Sequence, residues 1–135
     1  MRGAARRGNP EADAQRAIVV DLRRLLLPPF FVHHSANEVR GGGEQARRRQ
    51  AILLGMGIHP GFSDLLVGQK LAAWPHPRLL FLEVKSKTGP LSENEKKFRS
   101  LVMDMGWPFE IARSTPDALG AVLKHGFATR IKGGL

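Results

Sequence analysis

The sequence predicts one α/β domain with a central mixed β-sheet flanked by helices. A chain of 135 residues has the length of a single ordinary domain. Its composition, 42% hydrophobic and 24% charged, excludes a disordered or fibrous protein. Segments with helical apolar spacing alternate with short apolar runs typical of strands, in the order α-β-α-β-β-α-β-α. We therefore expect one domain over residues 9–126, between a basic flexible arm at 1–8 and a C-terminal tail at 127–135.

Capping signals define where the helices begin and end. Asn9 followed by Pro10 is typical of a helix start, and Pro28-Pro29 ends that segment. Ser92, with Glu95 three positions later, matches a capping box. The predicted elements are a helix from Pro10, a strand Phe30–His33, a glycine-rich loop at 36–43, a helix Glu44–Leu54, strands Asp64–Val67 and Leu79–Lys85, a helix from Ser92 to Gly106 with a buried stripe of Phe98, Leu101, Val102 and Met105, a strand Phe109–Ala112, and a helix from Thr115.

Composition excludes several kinds of chemistry. The chain has no cysteine and no tyrosine, so thiol and tyrosine nucleophiles and zinc–thiolate sites are excluded. No apolar run approaches the roughly 20 residues of a membrane span, and we expect a cytoplasmic protein with no membrane partner. The net charge of +9 favours a polyanionic partner. A basic protein without such a partner is the alternative from charge alone.

Three charged residues form the most informative pattern. Glu83 and Lys85 are two positions apart on a predicted strand, so their side chains project from the same face. Asp64 lies at the start of the preceding strand. If the two strands pair antiparallel, Asp64 and Glu83 meet at one end of the sheet, where two carboxylates suit a magnesium ion. A cross-strand ion pair near a sheet end is the alternative interpretation of Glu83 and Lys85.

The residues around this pattern resemble the VRR-NUC domain, a virus-type replication-repair nuclease family of the PD-(D/E)XK nuclease superfamily. The resemblance covers roughly residues 9–120 and depends on the order of several separated motifs. These motifs are Pro10-Glu11-Ala12-Asp13-Ala14-Gln15-Arg16-Ala17, Met56-Gly57-Ile58-His59-Pro60-Gly61-Phe62-Ser63-Asp64-Leu65-Leu66, Phe81-Leu82-Glu83-Val84-Lys85 and Gly89-Pro90-Leu91-Ser92.

The resemblance implies a restriction-endonuclease-like α/β/α core and a metal-dependent DNA endonuclease. Asp64, Glu83 and the backbone carbonyl of Val84 match the family's ligands to Mg²⁺ or Mn²⁺. Lys85 matches its catalytic lysine, and Glu11 matches an acidic residue of the first helix near the metal. The family further implies hydrolysis of phosphodiester bonds in duplex or branched DNA, a role in DNA repair, a homodimer and no organic cofactor. Together with the compact single-domain form, the resemblance also implies a bacterial or phage origin.

Three positions leave the assignment open. The family usually has proline where this chain has Ser63, although serine allows the same extended backbone. Glu95 stands where the family commonly has glutamine, and it is predicted either to cap the helix or to add a negative charge to the metal site. Asn37 lies where the family often has an asparagine, but asparagine is also common in loops.

Basic residues near these motifs are the predicted DNA contacts. Arg47, Arg48 and Arg49 cover most of one helical turn, so they cannot all face the core and at least part of this face is solvated. The full predicted set is Arg40, Arg47, Arg48, Arg49, Lys87 and Lys96. Two other functions stay open: a nucleic-acid-binding module of the same fold that cleaves weakly or not at all, and a structural basic protein such as a ribosome component.

Overall fold

A computed structural model describes residues 8–35 and 43–131. Four helices and four strands follow one another in the predicted order. They are α1 Pro10–Leu25, β1 Phe30–His34, α2 Gly43–Gly55, β2 Leu65–Gln69, β3 Arg78–Val84, α3 Glu93–Asp104, β4 Phe109–Ala112 and α4 Thr115–Lys124. The predicted arm at 1–7 and the last residues, 132–135, lie outside the described residues, as do the predicted sites Asn37 and Arg40.

The four strands form one mixed sheet in the order β1-β2-β3-β4. β1 pairs antiparallel with β2, and β2 pairs antiparallel with β3. β4 runs parallel to β3, because α3 carries the chain back before β4 begins. The predicted mixed α/β fold is confirmed, and the antiparallel pairing of β2 with β3 is the arrangement on which the predicted site depends.

The main core lies between one face of the sheet and helices α1 and α4. Alternate residues of β3 point to this face, and Leu80, Leu82 and Val84 are all buried there. Helix α1 contributes Ile18 and Leu22, one turn apart on its apolar stripe. The alternation leaves Phe81 and Glu83 on the opposite face, as predicted.

A smaller aromatic core lies on that opposite face, under α3. Phe98 of α3 packs against Phe81 and Phe62, with ring centroids 5.8 and 4.6 Å apart respectively. The prediction that Leu101 and Met105 are also buried is wrong, because their exposed fractions are 41% and 57%. Helix α3 contacts the sheet through a narrow stripe one turn long, in which Phe98 and Val102 are buried.

The packed chain also extends beyond the predicted domain end at residue 126. Phe127 is 4% exposed and belongs to the main core. The backbone N–H of Leu27 donates to Ala128, and Leu26 forms an isolated bridge with Thr129. The start of the predicted tail at 127 is therefore corrected, since residues 127–130 close the end of the sheet near α1.

Candidate active site

Strand pairing places Asp64 opposite Glu83. In the antiparallel register Leu65 faces Leu82, so the next pair outward joins Asp64, just before β2, to Glu83, near the end of β3. Residues directly opposite each other project from the same face. The Asp64 carboxylate is fixed there by the backbone N–H of Val84, which donates to its Oδ2 at 2.8 Å. Two acids separated by 19 positions in the sequence are thus brought to one point.

The carboxyl group of Glu83 is buried among other acids. Glu83 is 1% exposed, and neither of its carboxylate oxygens has a hydrogen-bond donor among the residues described. Burial, followed by the charge of Asp64 and hydrogen bonding with it, raises the pKa of Glu83 to about 10, with a further contribution from Glu95. Because the neighbours are also carboxylates, they can hydrogen-bond to Glu83 only when one of the groups carries a proton.

Lys85 supplies the positive charge of this cluster. Its Nζ lies 2.8 Å from Glu95 Oε1 and 3.6 Å from Glu83 Oε2, and its side chain is 9% exposed. Burial lowers the pKa of Lys85, but the hydrogen bond and charge of Glu95, together with the charges of Glu83 and Glu11, outweigh it and raise the pKa above the ordinary value. Lys85 is therefore a cation held beside carboxylates, as the same-face argument predicts.

Glu95 combines the two roles that the sequence left as alternatives. It forms the predicted capping box, since its Oε1 accepts the N–H of Ser92 at 2.8 Å while the Ser92 hydroxyl accepts the N–H of Glu95. The same carboxylate also contacts Lys85 and so faces the site. Burial raises the pKa of Glu95, but these two hydrogen bonds outweigh it and lower the pKa below its usual value.

Glu11 and Ser63 lie around the cluster in different roles. Glu11, in the first turn of α1, is near enough to Lys85 for its charge to raise the lysine pKa. Ser63 is fully buried, and its hydroxyl donates to the carbonyl of Leu65 at 3.0 Å. That bond closes the turn before β2, so Ser63 shapes the backbone that carries Asp64.

A close backbone contact joins the segment before Asp64 to helix α3. Gly61 has a φ of +77°, and a Cβ at this position would lie 2.3 Å from the carbonyl oxygen of Asn94. Only glycine permits both the left-handed backbone and this approach. Since Asn94 directly precedes Glu95, the contact sets the distance between the two segments that carry Asp64 and Glu95.

His34 lies beside the backbone of Asp64 and is in turn contacted by Gln15, and the sequence analysis assigned no site role to either residue. Nδ1 of His34 is 3.2 Å from the backbone oxygen of Asp64 and 2.8 Å from Nε2 of Gln15. Gln15 is four positions after Glu11 and hence on the same side of α1. That spacing and its place in the first motif of the resemblance were the sequence signals for Gln15, whereas nothing local indicated that β1 would bring His34 next to Asp64.

The predicted DNA contacts that the structure describes are all accessible. Arg47, Arg48 and Arg49 on α2 are exposed, and Arg48 forms a solvent-exposed ion pair with Glu44, at 3.6 Å. Lys87 follows Lys85 in the loop after β3, while Lys96 follows Glu95 on α3. The last two therefore adjoin the carboxylate cluster in the sequence, and they carry charges suited to phosphate.

The donor set suits one divalent cation held by a pair of carboxylates. Asp64 and Glu83 supply oxygen ligands, the type that Mg²⁺ prefers, and both Glu83 oxygens lack a donor among the described residues. Over residues 8–35 and 43–131, no group of three or more His, Asp or Glu side chains is arranged to enclose a metal. Any ion here would thus complete its coordination with backbone oxygen, water or substrate, which is the usual state of magnesium.

A cavity of about 710 Å³ lies at the other end of the sheet, near the start of β3 and β4. Arg78, Trp107 and Lys124 are among the residues that line it, together with Glu110 and His125. None of the predicted site residues contributes to this cavity. The carboxylate cluster and the cavity are therefore separate features, and the chemistry described above belongs to the cluster.

The fold and the cluster together define an α/β protein with an acidic centre at one end of a mixed sheet. A comparison with models of known protein families gives no match, and a comparison with curated protein sequences gives none either. A solved structure described as "VRR_NUC domain protein" has the same fold, with a TM-score of 0.66 and 17% sequence identity. The match covers 90% of this chain and 91% of that chain.

This likeness confirms the predicted fold, and it agrees with the resemblance found from the motifs. It extends over nearly the whole length of both chains, so no separate domain of either one accounts for it. Within the described residues, no helix has the length and apolar character needed to span a membrane.

Proposed function

We propose that the protein is a divalent-metal-dependent DNA endonuclease. The observation that carries this proposal is the buried carboxyl group of Glu83, which has no hydrogen-bond donor among the described residues and lies opposite Asp64 with the ammonium of Lys85 3.6 Å away. Burying a carboxyl group without a hydrogen-bond donor is costly, and a bound cation would offset that cost. The VRR_NUC-like fold supports a nuclease in preference to a ribosomal or other structural protein.

Each residue of the cluster has a chemical task in this proposal. Asp64, Glu83 and the Val84 carbonyl would hold Mg²⁺ or Mn²⁺. The bound ion would lower the pKa of a water molecule and offset the charge of the phosphodiester. Lys85 has three N–H donors, which can orient that water or stabilise charge developing on phosphate. Water attacks directly, so no covalent enzyme intermediate forms.

Asp64 and Glu95 keep the charges of the cluster in place. The bond from the N–H of Val84 fixes one oxygen of Asp64, on the residue that lies opposite Glu83 in the strand register. Glu95, in the first turn of α3, holds the ammonium of Lys85 beside the cluster through their ion pair. Substrate DNA would be contacted by Lys87, Lys96 and the exposed arginines of α2.

A cleavage assay tests the proposal. Purified protein is incubated with supercoiled plasmid and with branched oligonucleotides, in Mg²⁺, in Mn²⁺ and in chelator. We expect nicking that requires the metal and falls by about 10²- to 10³-fold in Glu83→Gln and Asp64→Asn, the loss typical when one electrostatic group of an active site is removed. Glu93→Gln is the matched control, because its carboxylate is 82% exposed on the same helix as Glu95.

The same assay distinguishes the nuclease from the main alternative, a nucleic-acid-binding module of the same fold. DNA binding that persists in wild-type protein without cleavage under any metal condition would contradict the nuclease and favour the binding module. The preference for branched DNA is measured by comparing junction and linear duplex in the same assay. The expected homodimer stays a prediction, which sedimentation velocity can check.

A further inference from the structure

Arg113 is hydrogen-bonded to the loop that connects β3 with α3, the two elements between which the carboxylate cluster is divided. That loop, residues 86–91, begins directly after Lys85 and ends at Ser92, the N-cap of α3. Nη1 of Arg113 donates to the carbonyls of Ser86 and Gly89, both at 2.7 Å. Hydrogen bonds from a charged donor are about twice as strong as neutral ones, so these two short bonds restrain the loop strongly.

Arg113 is itself anchored to the sheet and to α4. It follows Ala112, whose carbonyl accepts the N–H of Lys85 at 3.0 Å. Its own backbone N–H donates to Oδ2 of Asp117, in the first turn of α4. The arginine thus connects a rigid strand end to a loop that has no regular secondary structure.

The loop packs tightly where Arg113 holds it. A Cβ on Gly89 would lie 2.9 Å from the hydroxyl of Ser86 and 3.7 Å from Oε2 of Glu11. The loop therefore fills the space between α1 and the end of β3. A change in its path would move Ser92, and with it the 2.8 Å contact between Glu95 and Lys85.

We infer that Arg113 is a positioning residue of the active centre, an inference that rests on the proposed nuclease function. By fixing residues 86–89, it sets the distance between Lys85 at the end of β3 and Glu95 on α3. Displacements of about 1 Å in a reacting group can cost about 100-fold in rate. The arginine acts through the loop, and neither DNA nor the reacting phosphate is expected to touch it.

Three variants test this inference. Arg113→Met removes the donors and keeps the aliphatic stem, while Arg113→Lys retains a charged donor. Arg23→Met is the matched control, since the guanidinium of Arg23 also donates a part-buried hydrogen bond to a carbonyl, that of Val32 at 3.1 Å, but between α1 and β1. The readouts are kcat and KM for DNA cleavage, thermal unfolding, and amide hydrogen exchange of residues 86–95.

We expect Arg113→Met to lower kcat by about 10- to 100-fold with little change in KM, and Arg113→Lys to recover part of the loss. Exchange should become about tenfold faster over residues 86–95 but remain unchanged in α4, with Arg23→Met normal in both measurements. If Arg113→Met keeps the wild-type kcat, or if both methionine variants lose activity and stability equally, the inference is overturned. If the wild-type protein cleaves no DNA, the proposed function fails, and hydrogen exchange then tests the positioning role by itself. Faster exchange of the loop in Arg113→Met supports that role, and unchanged exchange overturns it.

Discussion

At the residue scale, the buried Glu83 that is predicted to bind the metal also lowers the free energy of unfolding. An unfolded chain releases the Glu83 proton near pH 4.5 and the folded chain near pH 10. Between these values the folded state binds more protons than the unfolded state, so the contribution of Glu83 to stability falls as the pH rises. A single group of this kind changes the free energy of unfolding by up to about 1.4 kcal/mol per pH unit.

We therefore expect Glu83→Gln to be more stable than the wild-type protein in chelator, and increasingly so from pH 6 to pH 8.5. Glutamine has nearly the same volume, is neutral at every pH, and can donate to the Asp64 carboxylate without the proton uptake that folding imposes on Glu83. Urea unfolding across this pH range measures the difference. Glu93→Gln serves as the control, because removing an exposed charge should leave the pH dependence unchanged. Equal stabilities of Glu83→Gln and wild type at all pH values would contradict the burial argument.

At the scale of elements, the contact between the segment before β2 and the start of α3 assembles the site. Gly61 and Gly57 both have left-handed backbones, with φ of +77° and +99°. Among the described residues, Gly61 has neighbours within 4 Å of the point that a Cβ would occupy and Gly57 has none. The two glycines therefore separate the effect of backbone strain from the effect of a steric clash.

We expect Gly57→Ala to lower the free energy of unfolding by about 1–2 kcal/mol, the cost of a left-handed alanine. Gly61→Ala should cost about 1–3 kcal/mol more, because its methyl group would meet the backbone of Asn94 and force α3 outward. Only Gly61→Ala should also impair cleavage, since Glu95 follows Asn94. Urea unfolding and the plasmid assay measure both effects, and similar losses in the two variants would show that the close approach has no energetic role.

At the scale of the whole molecule, the charge of +9 favours DNA, and α2 carries three of its exposed arginines. We expect a triple change of Arg47, Arg48 and Arg49 to glutamine to weaken DNA binding and to reduce the slope of log K against log salt by up to about 2.7. Fluorescence anisotropy with labelled duplex between about 50 and 200 mM salt measures the slope, in chelator so that no cleavage occurs.

The control for this measurement changes Arg16, Arg24 and Lys70 to glutamine. These side chains are also exposed, and the change removes an equal number of positive charges, three, from other parts of the surface. If α2 is a DNA contact, only the first triple variant lowers the slope strongly. Equal slopes in the two triple variants would mean that the protein attracts DNA by net charge, without a localised contact at α2.

How much could be predicted depended on the distance over which each signal acts. Asn9 as N-cap and the Ser92–Glu95 capping box were predicted correctly, because capping depends on residues three positions apart. The alternation of Leu82, Glu83 and Val84 likewise follows from strand geometry alone. The burial of Leu101 was predicted wrongly, since helical periodicity gives the apolar face of α3 without the width of the surface that covers it.

The sequence by itself determined the helices and strands, the face to which Glu83 and Lys85 point, and the resemblance to a nuclease family. Tertiary structure alone decided that Glu95 contacts Lys85 while capping its helix, that His34 lies beside Asp64, and that Arg113 restrains the loop between Lys85 and Glu95. The reason is physical: capping and alternation act between neighbours along the chain, whereas these contacts join segments separated by 10 to 30 residues and exist only once the sheet has paired.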